Sequence, residues 1–303
     1  MDTIGTQDLW TFHDNGENAE VATCQDVRQC RGHAVKDYMD LAAKIAELQF
    51  RNRDYVLLFR GQDIDHKDHG IKSSLLPSLF RTQNRWFDAE RRQHDPFGIM
   101  LKFEKLKNAE VILSREFAES DFIGNDEISR HRILRWSILQ HYEVCDTPLL
   151  DVTHSLRIGA SFASIENNSD EAFLYALGIP NISGAISASA EAGLQIVRLS
   201  SVCPPVAMRP HLQEGYLLGI YPEIDSHEQK QIYGLSEIDF GKRLIAKFRF
   251  NPNTFWTKSG QFQMIGKHAL YPSERRDPLY ALANRVKRLA KFNRPENSRR
   301  PAG

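Results

Sequence analysis

The sequence predicts an α+β fold, on three observations. Helical periodicity dominates the first half, short β-like runs cluster in the second, and no regular βα alternation of the kind that builds a doubly wound parallel sheet links the two. The expected form is a helical N-terminal half packed on a mixed or antiparallel sheet drawn from the C-terminal half. With 303 residues, 41% of them hydrophobic, the chain has enough apolar surface for a sizeable core.

The elements follow in order. Residues 1–34 are polar and weakly periodic and read as a variable leader. In VKDYMDLAAKIAELQF, Tyr38, Leu41, Ile45 and Leu48 recur at helical spacing, and the strand DYVLLF follows. After a loop rich in His and Asp, SSLLPSLFR turns at its proline. Two helical stretches, PFGIMLKFEKLKNAEVILSREF and EISRHRILRWSILQHY, carry apolar residues three and four apart. From Ala172 the pattern changes to the runs AFLYAL, LQIVRLS, YLLGIY, LIAKFRF and HALYP, each expected to be a strand. A last helix over about 278–291 puts Leu279, Leu282, Val286 and Leu289 on one face. The main domain is therefore expected over 35–292, with 293–303 a disordered tail.

Composition excludes several classes. Lys plus Arg and Asp plus Glu are 39 each, so no global field favours nucleic acid or an anionic membrane. No stretch approaches the ~18 apolar residues of a membrane span, and the start MDTIGTQDLW lacks the features of a signal peptide, so a cytoplasmic location is expected. Cys24, Cys30 and His33 are not spaced as a standard zinc site and read as reduced thiols and a histidine near a mobile N-terminus; no metal is expected. There is no P-loop and no GxGxxG. Arg81, Arg85, Arg91 and Arg92 lie near Trp86, but Asp88, Glu90 and Asp95 interrupt them, so a solvated face is preferred to a nucleic-acid surface.

Three segments concentrate the chemistry. In Phe59-Arg60-Gly61-Gln62 an arginine ends a run of apolar residues, and a buried guanidinium requires an anion, either a protein carboxylate or a ligand phosphate or carboxylate. Gly61 leaves room for another backbone or a ligand to come close. In WSILQHYEVCDTPLLDVTHSLRIGASFA, Gln140, His141 and Tyr142 end a helix, and Asp151 sits between Leu150 and Val152, a carboxylate whose obvious cation is Arg60. Thr153 or Ser155 is placed to cap the helix that follows. In SVCPPVAMRPHLQEGYLLGIYPE, Arg209, Gln213 and Glu214 lie at the mouth of an apolar strand, where ligands are often held; a solvated loop with a bulge at Gly215 is the plainer alternative.

These three blocks, FRG at 59–61, QHYEVCDTPLLDVTHSLRIGASFA from Gln140 and RPHLQEGY from Arg209, resemble the motifs of the FRG domain family, which is widespread in bacteria and their phages. The resemblance spans about residues 36–290. Pro148 and Val152 stand where many members have an arginine and a tryptophan, and Glu143 replaces a common glycine. A weaker likeness joins the Phe-Arg-Gly strand and LDVTHSLRIGASFA to arginine-type ADP-ribosyltransferases, and it implies a split sheet and NAD as cofactor. It also implies transfer of ADP-ribose to a macromolecular acceptor, with NAD glycohydrolysis as the related activity. Carried over, Arg60 anchors phosphate, Thr153 and Ser155 shape the nicotinamide pocket, His141 or Tyr142 positions substrate, and Gln213 or Glu214 stabilises the developing cation. Glu214 is the acid of that pair. Gln62, Asp151 and Arg209 complete the expected ligand set. The alternative is a non-catalytic sensor or interaction module in phage–host conflict, binding a protein partner and keeping Arg60 and Asp151 as a scaffold.

Overall fold

A computed structural model describes residues 4–292 apart from 5–6, 15, 69, 82–95, 181–182, 258–259 and 261. The cluster of Arg85, Trp86, Arg91 and Arg92 and the C-terminal tail lie outside the described residues. The strands are β1 (Asp8–Thr11), β2 (Glu20–Thr23), β3 (His33–Ala34), β4 (Val56–Gln62), β5 (Lys67–Asp68), β6 (Lys72–Ser73), β7 (Leu150–Thr153), β8 (Ala172–Ile179), β9 (Ile186–Ser189), β10 (Leu194–Arg198), β11 (Gly215–Ile220) and β12 (Leu244–Phe250). Eight of them form one mixed sheet in the order β3-β12-β8-β4-β7-β11-β10-β9, antiparallel except where β3 runs parallel to β12. The fold is α+β, and the sheet takes β3 and β4 from the first half of the chain as well as strands from the second.

The centre of the sheet is unequal. β8 is buried at all eight positions, as expected for a strand covered on both faces, and β4 pairs with it from Val56↔Ile179 to Gln62↔Phe173. On its other side β4 meets β7 at the single pair Phe59↔Thr153. The sheet therefore parts between β4 and β7, and the candidate site occupies that gap.

The helices that matter for the site are α1 (Cys24–Gln29), α2 (Tyr38–Arg51), α3 (Pro96–Ala118), α4 (Asn125–Arg130), α5 (Arg132–His141), α6 (Leu156–Ser164), α7 (Leu199–Val202) and α8 (Met208–Leu212). Alternation along the strands divides the core in two. Leu57 and Phe59, with Leu174 and Ala176, face α2 and α6 in the smaller cluster. Leu58, Tyr175 and Leu177 belong to the larger cluster, with α3, α5 and the C-terminal helix Pro278–Phe292.

Three sequence expectations change. The stretch expected to be a leader is part of the fold: β1 and β2 form a hairpin, Thr23 and Asp26 make a capping box for α1, and β3 joins the main sheet. Leu9, Phe12, Cys24 and Val27 are buried there; the elements are too short for their periodicity to show. EISRHRILRWSILQHY breaks into α4 and α5 at His131, which is extended. HALYP holds a one-turn helix, Lys267–Leu270, instead of a strand, because Gly266 opens it and Tyr271 N–H closes on the Lys267 carbonyl at 2.8 Å.

Candidate functional site

The gap between β4 and β7 is a cleft of about 270 Å³, walled by Arg60 and Phe59 on one side, by Asp151 and Thr153 on the other, and closed by His141, Glu143, Arg209, Gln213 and the rings of Phe162 and Tyr271. Gly61 brings β4 to within backbone contact of α6, and Gly159 and Ala163 meet it there. The close approach that the glycine allows is thus made by a helix, not by a ligand. On the opposite face Arg60 stands next to Tyr175 in the sheet register.

Arg60 does not pair with the Asp151 carboxylate. Its Nη1 donates to the Asp151 backbone carbonyl at 2.6 Å, and its Nε is buried without a hydrogen-bond partner among the described residues. The carboxylate is taken elsewhere: Gln140 Nε2 donates to one oxygen at 2.5 Å, and His141 Nδ1 lies 3.5 Å from the other. The Gln140 carbonyl in turn accepts from the Thr147 hydroxyl, which fixes the amide orientation. The apolar neighbours of Asp151 make Arg60 its expected cation, but the antiparallel register of β7 turns the main chain, not the side chain, toward the guanidinium.

The electrostatics follow. Burial first, and the nearby Arg81 charge second, bring the Arg60 guanidinium down to about 10, against the attraction of Asp151; it remains a cation at neutral pH. Burial also holds His141 below its ordinary value, so the ring is neutral, with Nε2 buried and unpartnered. For Asp151, burial pushes the carboxyl up, but the His141 ring, the Gln140 amide and the Arg60 charge outweigh it and keep the group ionised.

A pH dependence follows from the same burial. The folded chain holds His141, His33 and His66 below 6.5, so the unfolded chain binds more protons below that pH and stability is lost as pH falls through it. The urea midpoint is expected to be flat above pH 7 and to drop as pH falls below 6.5, with a shallower drop in His141→Gln. Equal slopes for the two proteins would remove His141 from the account.

The remaining expected site residues divide. Arg209 and Gln213 line the cleft, the latter fixed by Nε2 donating to the Leu270 carbonyl at 2.8 Å. Thr153 lines it too, but its hydroxyl is spent on the Gln213 carbonyl at 2.8 Å and accepts the Ser155 N–H at 3.1 Å. Ser155 sits at the start of α6 with no side-chain cap bond, and Gln62 is buried away from the cleft. Tyr142 points into the core, where its hydroxyl donates to Asp277 at 3.0 Å; it anchors structure and is out of reach of a substrate. Glu214 is exposed and outside the cleft lining: at φ 44 its backbone turns left-handed, and only its carbonyl faces inward, accepting from the His154 N–H at 3.2 Å. Glu143, Phe162 and Tyr271 were not expected in the ligand set. Glu143 also lies at positive φ, 55, which is the physical reason a glycine suits that position in the family it resembles. Tyr271 had no motif to mark it, since HALYP read as a strand.

Residues 56–172 match the family model of the FRG domain. The chain carries an FRG domain. The match runs from the first residue of β4 to the first of β8 and includes Arg60, His141, Glu143, Asp151 and Thr153. The cleft of this FRG domain is completed by residues beyond the match, Arg209, Gln213 and Tyr271. No curated protein and no solved structure matches the chain. No helix among the described residues is long and apolar enough to cross a membrane.

Proposed function

We propose that the cleft binds an anionic nucleotide-type ligand, NAD being the first candidate, and that Arg60 anchors its phosphate. One observation carries the reading. Arg60 is a half-buried cation whose one hydrogen bond among the described residues goes to a neutral carbonyl, whose buried Nε has no partner among them, and which has Arg81 nearby. Such a charge is costly to keep unpaired, and a phosphate is the donor-matched group that relieves it. Phe162 and Tyr271 supply flat apolar walls on which a heterocycle can stack.

The reaction proposed for such a ligand is cleavage of the nicotinamide–ribose bond. Nicotinamide leaves with the bonding electron pair, a carboxylate supports the developing ribose cation, and an acceptor hydroxyl, amine or water attacks and loses its proton. Asp151 suits that carboxylate better than Glu214, because it lines the cleft and is held ionised. A second reading, a non-catalytic sensor or interaction module with a protein partner, is favoured by one feature: at 213 and 214, where the transferase likeness calls for an acid, an amide lines the cleft and the glutamate does not.

Calorimetric titration with NAD and with ADP-ribose tests both. Saturable binding is expected, weakened by at least about tenfold in Arg60→Ala with an unchanged melting temperature, and kept in Asp151→Asn, which should no longer release nicotinamide. Absence of binding of either compound would leave the interaction module.

A further inference from the structure

We infer that the cleft takes a ligand with two anionic centres, one on Arg60 and the other on Arg209, and that Glu143 is a built-in anion holding Arg209 until the ligand displaces it. The inference rests on the anion-binding reading of the cleft given above.

Arg209 is fixed from several directions. Its backbone N–H donates to Asp277 Oδ2 at 2.9 Å, and the same carboxylate holds the Tyr142 hydroxyl and the Tyr280 N–H. Its guanidinium lies over the Tyr271 ring at 4.5 Å and the Tyr142 ring at 5.5 Å. The side chain is 8% exposed, yet its one polar partner among the described residues is Glu143 Oε1 at 2.7 Å, and its Nε is buried without any. A guanidinium has five N–H donors in a fixed fork, so most of this one's capacity is unused.

Glu143 is the opposite kind of partner. Its side chain is 64% exposed and its backbone is left-handed, an arrangement that costs a non-glycine residue free energy. The pair is therefore one-sided. Removing Glu143 strands a buried cation, whereas the carboxylate returns to water with little loss. An incoming phosphate can replace it with a bidentate contact and restore the charge balance. Arg60, Arg209 and Tyr271 line the same cleft of about 270 Å³, which puts both cations within reach of one molecule. The ligand class that fits is a pyrophosphate ester, or a nucleotide with a second acidic group, in preference to a monophosphate.

The test is titration with inorganic pyrophosphate of the unaltered protein, Glu143→Gln, Arg209→Met and the double variant, each first checked by thermal melting. Glu143→Gln removes the competing charge at nearly constant shape, so pyrophosphate is expected to bind it about tenfold more tightly, the size of a typical coupling between two ligands of one site. The gain should vanish when Arg209→Met is added. Unchanged or weaker binding in Glu143→Gln, a gain that survives Arg209→Met, or no pyrophosphate binding by any of the four proteins would each overturn the inference. The outcome is separable from that of the NAD titration. Tightening by Glu143→Gln without NAD binding keeps the two-anion cleft and removes the NAD reading; NAD binding through Arg60 without tightening does the reverse.

Discussion

Gly61→Ala is expected to destabilise the protein severely, by more than about 4 kcal/mol. A β-carbon built there lies 1.9 Å from the Gly159 carbonyl oxygen and 2.7 Å from the Ala163 nitrogen. Both are backbone atoms of α6, so no side chain can swing aside; either α6 or β4 has to move. Overpacking in a core usually costs about 1–3 kcal/mol when side chains can adjust, and the exceptional values above about 4 kcal/mol arise where the backbone cannot. Against a typical stability of about 5–15 kcal/mol, a loss of that size removes a large part of the margin, and nearly all of it at the low end of that range. Gly159→Ala is the graded comparison: its added carbon meets the Leu174 Cδ1 and Phe59 Cβ atoms at 3.0 Å, and a loss of about 1–3 kcal/mol is expected. Urea denaturation of both variants measures the difference. A Gly61→Ala protein with the parent midpoint would mean that β4 and α6 do not pack in this way.

The tripeptide at 59–61 thus has three separate tasks. Phe59 fills the smaller core, Gly61 admits α6, and Arg60 is turned to the other face toward the cleft. Strand alternation makes the first and last of these legible in the sequence itself, because period-two burial is a local property. The same holds for α2, β8, β11, β12 and the C-terminal helix, whose apolar spacing is long enough to read. What is not legible depends on register and on distant neighbours. The sequence offers Asp151 as the anion for Arg60, but whether Asp151 presents its side chain or its carbonyl depends on how β7 lies against β4. Glu214 looks like a site acid by adjacency to Gln213, and the left-handed turn at 214 sends it outward. β1 to β3 are too short to show periodicity, and Tyr271 reaches the cleft from a one-turn helix that carries no pattern of its own.

Lys247→Ala is expected to cost about 3–5 kcal/mol and to release the N-terminal segment. Lys247 is fully buried on β12, and its ammonium uses all three donors: on the Cys30 carbonyl, on Ser73 Oγ at 2.8 Å and on Asp65 Oδ2 at 3.1 Å. Asp65 also accepts from the Tyr175 hydroxyl at 2.9 Å. Register puts Lys247 opposite Tyr175 and Tyr175 opposite Arg60, so one polar row crosses β12, β8 and β4 and ends at the cleft. Deleting the lysine strands the Asp65 carboxylate, since removing one partner of a buried pair costs far more than the pair contributes. It also frees the Cys30 carbonyl, which ties the segment between α1 and β3 to the sheet. Hydrogen exchange is therefore expected to quicken first over residues 24–34, with the urea midpoint falling. The charge argument separates from a simple loss of packing through the double variant. Lys247→Met with Asp65→Asn keeps the volume and removes the stranded charge, so it should recover most of the loss seen in Lys247→Met alone. If the two denature alike, Asp65 is hydrated in the folded protein and the row from Lys247 to Arg60 is not a closed network.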